Sequence, residues 1–210
     1  MQARVSARFD VLDGHTIAGY QDSGTYRGYD GIKAALQMAP NQVTGVVKDA
    51  TVLGRGGAWF PAGVKWGFCP PGVWPRYIVV NGDESEPGTY KDRVLMERDP
   101  HQLIEGCLIA AYAIGAAQVF LYVRGEMAHA QERIAAALLQ QAALVGVGRE
   151  SQRGAEPFQV FRGEQHQVAR HVVGIPAGVE PAPAQRVAAR RLDHQAAAGG
   201  QLPDQRRRDR

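Results

Sequence analysis

The stretch DPHQLIEGCLIAAYAIG, residues 99–115, decides the fold together with the segments on either side of it. Asp99 followed by Pro100 is the pairing of N-cap and first-turn residue that starts helices. Apolar residues then recur at spacings of three and four, which keeps them on one face until Gly115. The pattern predicts an amphipathic helix with one buried side.

A short apolar run lies before and after this helix: YIVV at 77–80 and VFLYV at 119–123. Continuous β-branched and aromatic runs are typical of buried parallel strands. A second amphipathic helix is predicted over 127–143. The order strand, helix, strand, helix indicates an α/β fold, with a partial Rossmann-like parallel sheet, right-handed crossovers and flanking helices.

Two shorter helices are predicted upstream. One starts at Asp30 and is ended by Pro40, and the next takes Asn41 as its N-cap. Residues 1–27 show no clean period and are rich in Gly, Asp and Ser, so they are predicted to form an irregular lead-in. The α/β domain is accordingly expected over 28–146.

Residues 147–210 differ sharply in composition. They contain no Lys, Thr, Asn, Tyr, Trp, Met or Cys, and hold eleven arginines against seven acidic residues. Such a segment cannot bury much apolar surface, so an irregular or disordered low-complexity tail is predicted. This composition is typical of the product that results when a GC-rich coding sequence is translated in the wrong reading frame. A frameshift near residues 145–150 is therefore one explanation, and a natural truncated homologue is the other.

Composition excludes several classes of function. The net charge of +3 arises from the arginine-rich tail, so the domain has no basic surface for nucleic acid. No run of about 18 apolar residues and no signal peptide is found, which indicates a chain that does not insert into a membrane. The two cysteines, Cys69 and Cys107, match neither a CxxC unit nor a disulfide framework, so a reducing cytoplasm and no metal site are expected.

The segment GRGGAWFPAGVKW, residues 54–66, is the densest candidate for ligand binding. Clustered glycines let successive backbone amides form an anion nest, and Lys65 adds a positive charge, so a phosphate or nucleotide is the natural ligand. A solvated glycine-rich turn is the alternative interpretation. The Rossmann fingerprint is not met, because Trp59 takes its last glycine position and the loop follows a helix.

The segment NGDESEPGTYKDR, residues 81–93, is the second candidate and directly follows a predicted strand. Ligands of open α/β sheets bind beyond the carboxyl ends of the strands. Asn81 offers both a donor and an acceptor, which suits the polar edge of a flavin or nicotinamide ring. A solvated acidic loop is the alternative.

Four ordered segments carry a resemblance to a known family, the NADH-binding 51 kDa or F subunits of respiratory complex I, also called NADH-quinone oxidoreductase. Residues 54–66 resemble the family's GRGGAGFPTGLKW, and residues 79–93 its VVNADEGEPGTxKDR. Residues 99–106 resemble DPHxLIEG, and residues 122–126 resemble Y[IV]RGE. The resemblance covers roughly residues 28–145.

The resemblance implies an NADH-oxidising flavoprotein subunit that holds FMN non-covalently with NADH stacked on it. It implies hydride transfer from NADH to FMN and onward electron transfer to iron–sulfur clusters, with no catalytic side chain. The implied partners are NADH and other peripheral-arm subunits, especially a [2Fe–2S] thioredoxin-like subunit, at the inner face of the cell membrane. The implied cofactor-binding residues are Gly54, Arg55, Gly56, Gly57, Phe60, Lys65, Asn81, Asp83, Glu84 and Glu86.

By resemblance to the family, these positions fall into two groups, one that contacts FMN and one that contacts NADH. The glycines, Lys65, Asn81 and Asp83 correspond to its FMN cradle. Phe60 corresponds to an aromatic beside the nicotinamide and adenine groups, and Glu86 to an acidic residue near the NADH ribose.

The chain also departs from the family. Trp59 replaces a glycine, and an indole at that point could crowd the flavin. The second nucleotide motif, G-A-G-x-Y-x-x-G-E-E, is missing, and so are the four cysteines that would bind a [4Fe–4S] cluster. Two alternatives follow from this: a diaphorase subunit of an NAD-linked formate dehydrogenase or hydrogenase, or an inactive fragment.

Overall fold

The computed structural model describes residues 5–22, 28–144, 158–162 and 168–169. Its helices are α1 Ile17–Gln21, α2 Asp30–Ala35, α3 Pro40–Asp49, α4 Ala62–Trp66, α5 Lys91–Arg98, α6 Pro100–Ile114 and α7 Ala128–Leu144. Its strands are β1 Tyr77–Gly82, β2 Gln118–Val123, β3 Phe158–Arg162 and β4 Val168–Ala169.

The four strands form one sheet in the order β1-β2-β3-β4. β1 and β2 run parallel, with Tyr77 opposite Gln118 and Gly82 opposite Val123. β3 adds in parallel to β2, and β4 pairs antiparallel with β3. The predicted parallel sheet with flanking helices is confirmed. The segment predicted to be an irregular tail contributes β3 and β4, and the rest of that segment lies outside the described residues.

The ends of α6 match the sequence prediction. The Asp99 side chain accepts a hydrogen bond from the Gln102 amide at 3.4 Å, which caps the first turn. Gly115 closes the helix with φ 65°, a left-handed conformation that glycine adopts without strain. Local chemistry alone therefore determined both ends of this helix.

The predicted cap of α3 is wrong. Ala39, not Asn41, stands at the N-cap, and Pro40 is the first helical residue. The Gln42 side chain accepts the Ala39 amide at 2.8 Å, which supplies the missing cap from inside the helix. Pro40 therefore starts a helix instead of ending one, because the first turn does not need its absent N–H.

Two short helices fall in segments predicted to be irregular, α1 in the lead-in and α4 in the glycine-rich segment, and α5 falls after the acidic loop, where no element was predicted. α1 and α4 have five residues each, too few to show an apolar period. In α1, the Thr16 hydroxyl caps the helix by accepting the Gly19 amide at 3.1 Å. Packing on the rest of the domain, more than propensity, stabilises helices this short.

α6 lies at the centre of the domain. It contacts β2 and every other described helix. Its residues Ile104, Leu108 and Ala111 are buried, and they face a sheet surface made by Val119 and Leu121. α6 packs on β2, and the other described helices pack around α6.

Glu105, on α6, organises the chain that precedes α3. Its carboxylate accepts hydrogen bonds from the Tyr20 hydroxyl, from the Tyr29 amide at 3.3 Å and from the Ile32 amide at 2.9 Å. Tyr29 and Ile32 are at the start of α2, whose first amides have no partner within the helix. One buried carboxylate therefore caps α2 and joins α1 to α6.

Arg8 and Asp99 form a buried ion pair in the same region. The Arg8 Nε and Asp99 Oδ2 atoms are 3.0 Å apart, and the side chains are 1% and 0% exposed. The Arg8 guanidinium also donates to the carbonyl oxygens of Tyr20 at 2.9 Å and Gly14 at 3.0 Å. Burial raises the pKa of Asp99, an effect that the Arg8 charge opposes.

His101 completes this buried polar cluster. Its Nδ1 lies 2.9 Å from the Tyr29 hydroxyl and its Nε2 lies 3.0 Å from Gln140 Oε1. Gln140 Oε1 also accepts the Ile17 amide at 2.9 Å, which ties α1 to α7. Burial lowers the pKa of His101 to about 4, so the imidazole is neutral in the folded protein near neutral pH.

Within the described residues, no helix is both long enough and apolar enough to cross a membrane.

We predict that Arg8→Met destabilises the domain by about 3–5 kcal/mol, because it leaves Asp99 buried without its counter-ion. The matched control is Lys33→Met, which removes an exposed pair with Asp30 and should cost about 0.5 kcal/mol or less. Urea unfolding followed by circular dichroism measures both. Equal small losses in the two variants would contradict a stabilising role for the buried pair.

We also predict that acid lowers the free energy of unfolding through His101. The unfolded state protonates His101 near its ordinary pKa of 6.5, whereas the folded state takes up that proton only near pH 4. Unfolding is therefore favoured as pH falls between these values, by about 3 kcal/mol from this residue. Unfolding free energies measured from pH 7 to 4 should fall less steeply for His101→Gln than for the wild type. Parallel curves would show that His101 does not contribute.

Candidate functional site

The glycine-rich segment forms a tight exposed loop between α3 and α4. The Gly54 amide donates to the Phe60 carbonyl at 2.8 Å, and the Ala62 amide donates to the Val52 carbonyl at 2.8 Å. These two bonds close the loop like a short hairpin. Gly57, at its tip, has φ 101°, a conformation that side chains rarely adopt.

The amides inside this loop are open to a ligand. Within the described part of the chain, the amides of Arg55, Gly56, Gly57 and Ala58 make no hydrogen bond, and all four residues are exposed. A Cβ atom added to Gly56 or Gly57 would meet no protein atom within 4 Å. Packing does not require glycine at position 56, whereas close approach of a ligand to the backbone would.

Lys65 is carried by α4, next to this loop, and its side chain is exposed. The position of α4 depends on Gly63, where a Cβ would lie 2.5 Å from the backbone nitrogen of Lys48 in α3. Gly63 therefore lets α4 pack directly on α3. This close contact sets where Lys65 stands relative to the loop amides.

Trp59 occupies a strained position in the loop. Its φ is 53°, in the left-handed region, and its side chain is 54% exposed. The Arg55 guanidinium lies 4.8 Å from the centre of the indole ring, a cation–π contact. The neighbouring Phe60 is also exposed and contacts Phe68, with ring centres 5.8 Å apart. The loop thus presents aromatic faces beside its open amides.

The acidic segment leaves the carboxyl end of β1, as predicted. Asn81 Oδ1 accepts the Asp83 amide at 3.0 Å, and the Ser85 hydroxyl donates to the Asp83 carboxylate. Asn81 and Glu86 are exposed, and Asp83 is half-buried. The amide group of Asn81 keeps its NH₂ donors free of these bonds, so it can still donate to a ligand.

Glu84 connects the acidic loop to the next helix. Its carboxylate accepts the Asp92 amide at 2.6 Å and the Arg93 amide at 2.8 Å, at the start of α5. It therefore caps α5 from the preceding loop and is buried by doing so. Each oxygen of this carboxylate bonds to one backbone amide and keeps further acceptor capacity, so cofactor binding by Glu84 stays a prediction.

The sheet register brings two of the sequence segments together. Asn81 and Gly82 lie opposite Tyr122 and Val123, so the acidic loop and the loop after β2 share one edge. Arg124 extends this edge and pairs with Glu126 at 3.0 Å. Arg124 was not predicted as a site residue, although its segment belongs to the family resemblance. Its place follows only from the pairing of β1 with β2.

The two candidate segments, residues 54–66 and 81–93, are not joined by any hydrogen bond or ion pair among the described residues. Their helices, α4 in the first segment and α5 in the second, do not pack closely on each other. Each segment is therefore a separate candidate site.

The described residues include no group of three His, Cys, Asp or Glu side chains placed to hold a metal. Cys107 is buried in the core, and burial raises the pKa of its thiol to about 12, which disfavours the thiolate that a cluster needs. An iron–sulfur cluster requires about four such ligands, and the chain has two cysteines. The residues present do not fit a cluster.

Comparison with known proteins gives the family. In Rhizobium meliloti (strain 1021), the second of two NADH-quinone oxidoreductase F subunits is 47% identical over 132 residues, which is 62% of this chain and 31% of that protein. The NADH-quinone oxidoreductase F subunit of Aquifex aeolicus (strain VF5) is 50% identical over 112 residues, 53% of this chain and 26% of that protein. The chain thus spans about a third or less of the curated relatives it matches.

Among solved structures, an air-oxidised NAD⁺-reducing [NiFe]-hydrogenase chain aligns at 28% identity with a TM-score of 0.44, covering 77% of this chain and 32% of that one. The model of the Nuo51 FMN-binding domain matches residues 47–191, more than half of the chain. The chain therefore belongs to the Nuo51 FMN-binding domain family of the complex I 51 kDa subunits.

Proposed function

We propose that this chain is the FMN- and NADH-binding part of an NADH-oxidising flavoprotein subunit of an NADH-quinone oxidoreductase. The observation that carries the proposal is the row of unpartnered amides at residues 55–58, open on its ligand side, in a member of an FMN-binding family. Amides presented in this way bind anions, and the phosphate of FMN is such an anion. The residues present fit the cofactor at this loop.

The loop and α4 would hold the phosphate end of the flavin. The amides of residues 55–58 can donate to phosphate oxygens, Arg55 and Lys65 add positive charge, and Gly63 holds α4 close enough for Lys65 to contribute. This arrangement explains why position 56 is a glycine although nothing in the described part of the protein crowds it.

The edge of the sheet would hold the polar side of the ring. Asn81 can donate through its free NH₂ group, and Asp83 can accept from ribitol hydroxyls. Phe60, exposed next to the amide row, offers a face for stacking on NADH, and Glu86 offers an acceptor for the NADH ribose. Glu84 would act indirectly, by capping α5 below this loop.

The bound flavin would supply the redox chemistry, accepting a hydride from NADH and releasing electrons singly to an iron–sulfur acceptor. The protein has to align the two rings and exclude water, so no side-chain acid, base or nucleophile is assigned. The residues described here do not hold the iron–sulfur acceptor. We propose a [2Fe–2S] thioredoxin-like subunit of a peripheral arm at the inner face of the membrane.

A diaphorase subunit of an NAD-linked formate dehydrogenase or hydrogenase would use the same residues. The parent complex is therefore decided by the partner subunits and not by this site. An inactive fragment is the competing outcome, and flavin binding separates it from either enzyme.

The test is a titration of the purified chain with FMN. Quenching of flavin fluorescence measures binding, and reduction of ferricyanide by NADH measures activity. We expect saturable binding, and we expect Gly56→Ala to weaken it at least about tenfold, since the new methyl would occupy the ligand side of the amide row (about 1.4 kcal/mol). The matched control is Gly106→Ala, at an exposed position of α6 where a Cβ also meets nothing. A chain that binds no FMN would refute the proposed function.

Trp59 provides a second prediction. We expect Trp59→Gly to strengthen FMN binding several-fold, because glycine adopts φ 53° without strain and removes an indole next to the amide row. Trp59→Phe keeps an aromatic ring at the same backbone angle and should bind like the wild type. If the glycine variant binds FMN more weakly than the wild type, the indole contributes to the site instead of crowding it.

A further inference from the structure

The arginine of the glycine-rich loop lies against the indole of the same loop. The Gly54 amide donates to the Phe60 carbonyl at 2.8 Å, which brings the two arms of the loop side by side. Arg55 and Trp59 come next on these two arms. The Arg55 guanidinium reaches the facing arm, where its central carbon lies 4.8 Å from the centre of the indole ring. The contact therefore joins the two arms beside the open amides.

No acidic group competes with the indole for this guanidinium. Among the residues that the structure describes, no carboxylate lies within ion-pair distance of Arg55. Both Arg55 and Trp59 are exposed. A cation–π contact at an exposed site corresponds to a factor of about two to five in a binding constant. A contact of this strength holds the side chain in one place but yields to a stronger partner.

A phosphate is such a partner. The open amides end at Ala58, and the indole belongs to the residue after them. Arginine binds phosphate through a planar fork of N–H donors, often with two donors to one anion. The contact with Trp59 instead draws the guanidinium toward the arm of the loop that lies beyond the amide row.

This contact is a property of this chain. The family segment that residues 54–66 resemble has a glycine where this chain has Trp59. Glycine offers no ring to a guanidinium, so the family pattern leaves the arginine of the loop without this partner. The indole also has a backbone cost, since Trp59 has φ 53°. Backbone strain and the contact with Arg55 are separate effects of one substitution.

We infer that Trp59 is a positioning residue that holds Arg55 away from the phosphate position and so lowers the preference of the loop for a flavin with a phosphate. Binding of FMN exchanges the contact between Arg55 and the indole for one between Arg55 and the phosphate. Riboflavin, which has no phosphate, leaves the indole contact in place. The inference rests on the proposed function, because it assumes that the amides of residues 55–58 receive the FMN phosphate.

The first test is a double-mutant cycle on the full chain, with flavin fluorescence as the readout. Trp59→Leu removes the ring but keeps a side chain at the left-handed backbone angle. It should raise the affinity for FMN about two- to fivefold in the wild-type background and leave it unchanged in the Arg55→Ala background. The affinity for riboflavin should not respond to Trp59→Leu in either background.

Two results of this cycle overturn the inference. An equal gain in both backgrounds means that the indole crowds the flavin without acting through Arg55. A loss of FMN affinity in Trp59→Leu means that the indole presents Arg55 to the phosphate instead of withholding it.

The second test needs no flavin. In the nuclear magnetic resonance spectrum of the free chain, the ring current of the indole should shift the Arg55 side-chain protons upfield, and Trp59→Leu should remove this shift. Inorganic phosphate should reduce the shift, whereas chloride at the same ionic strength should not. Arg55 signals at ordinary positions, or a shift that phosphate leaves unchanged, would contradict the inference. A chain that shows the shift and its release by phosphate but binds no FMN would refute the proposed function and support the positioning of Arg55 by Trp59.

Discussion

The buried carboxylate of Glu105 is the interaction on which the arrangement of the domain depends. It lies on the central helix and accepts hydrogen bonds from the Tyr20 hydroxyl and from the amides of Tyr29 and Ile32. An unsatisfied buried donor costs about 1–3 kcal/mol, so each of these bonds constrains the chain strongly. The segment that precedes α3 can pack on α6 in only a few ways that satisfy all three.

The helices packed on α6 also determine where the loops proposed to bind nucleotides lie. α1 to α5 and α7 all contact α6, and α6 contacts β2, so the helices form one layer around α6. The residues proposed to bind the nucleotides lie in loops outside that layer, at the carboxyl end of β1 and between α3 and α4. Loops held by a rigid layer are the usual place for binding residues, because their backbone can remain open to a ligand. The polar cluster supports the site without forming part of it.

The sequence predicted best where local chemistry was sufficient. The cap at Asp99 and the stop at Gly115 define α6 without reference to the rest of the chain. The strand at 77–80 and its acidic loop were also predicted, since apolar runs and their ends are local signals. The glycine-rich loop was found by composition, and its open amides at Gly56 agree with that interpretation.

Predictions failed where a residue acts on a distant partner. The capping of α5 by Glu84 was not predicted, because its carboxylate bonds to an amide eight residues further on. Arg8 had no signal in an irregular lead-in, yet it is buried against Asp99, 91 positions away in sequence. One failure was local: Asn41 was predicted as a cap, but Pro40 takes the first turn because its ring suits that position.

By itself, the sequence determined the α/β class and the family, and it marked the two segments that are proposed to bind nucleotides, because these depend on short motifs and on the period of apolar residues. Only the tertiary structure decided which carboxylates are used inside the protein and which residues share the edge beside Asn81. Those properties depend on strand register and on contacts between residues far apart in the chain. Strand register and long-range contacts leave no local pattern in the sequence. They nevertheless decide which charged side chains are buried and bonded inside the protein.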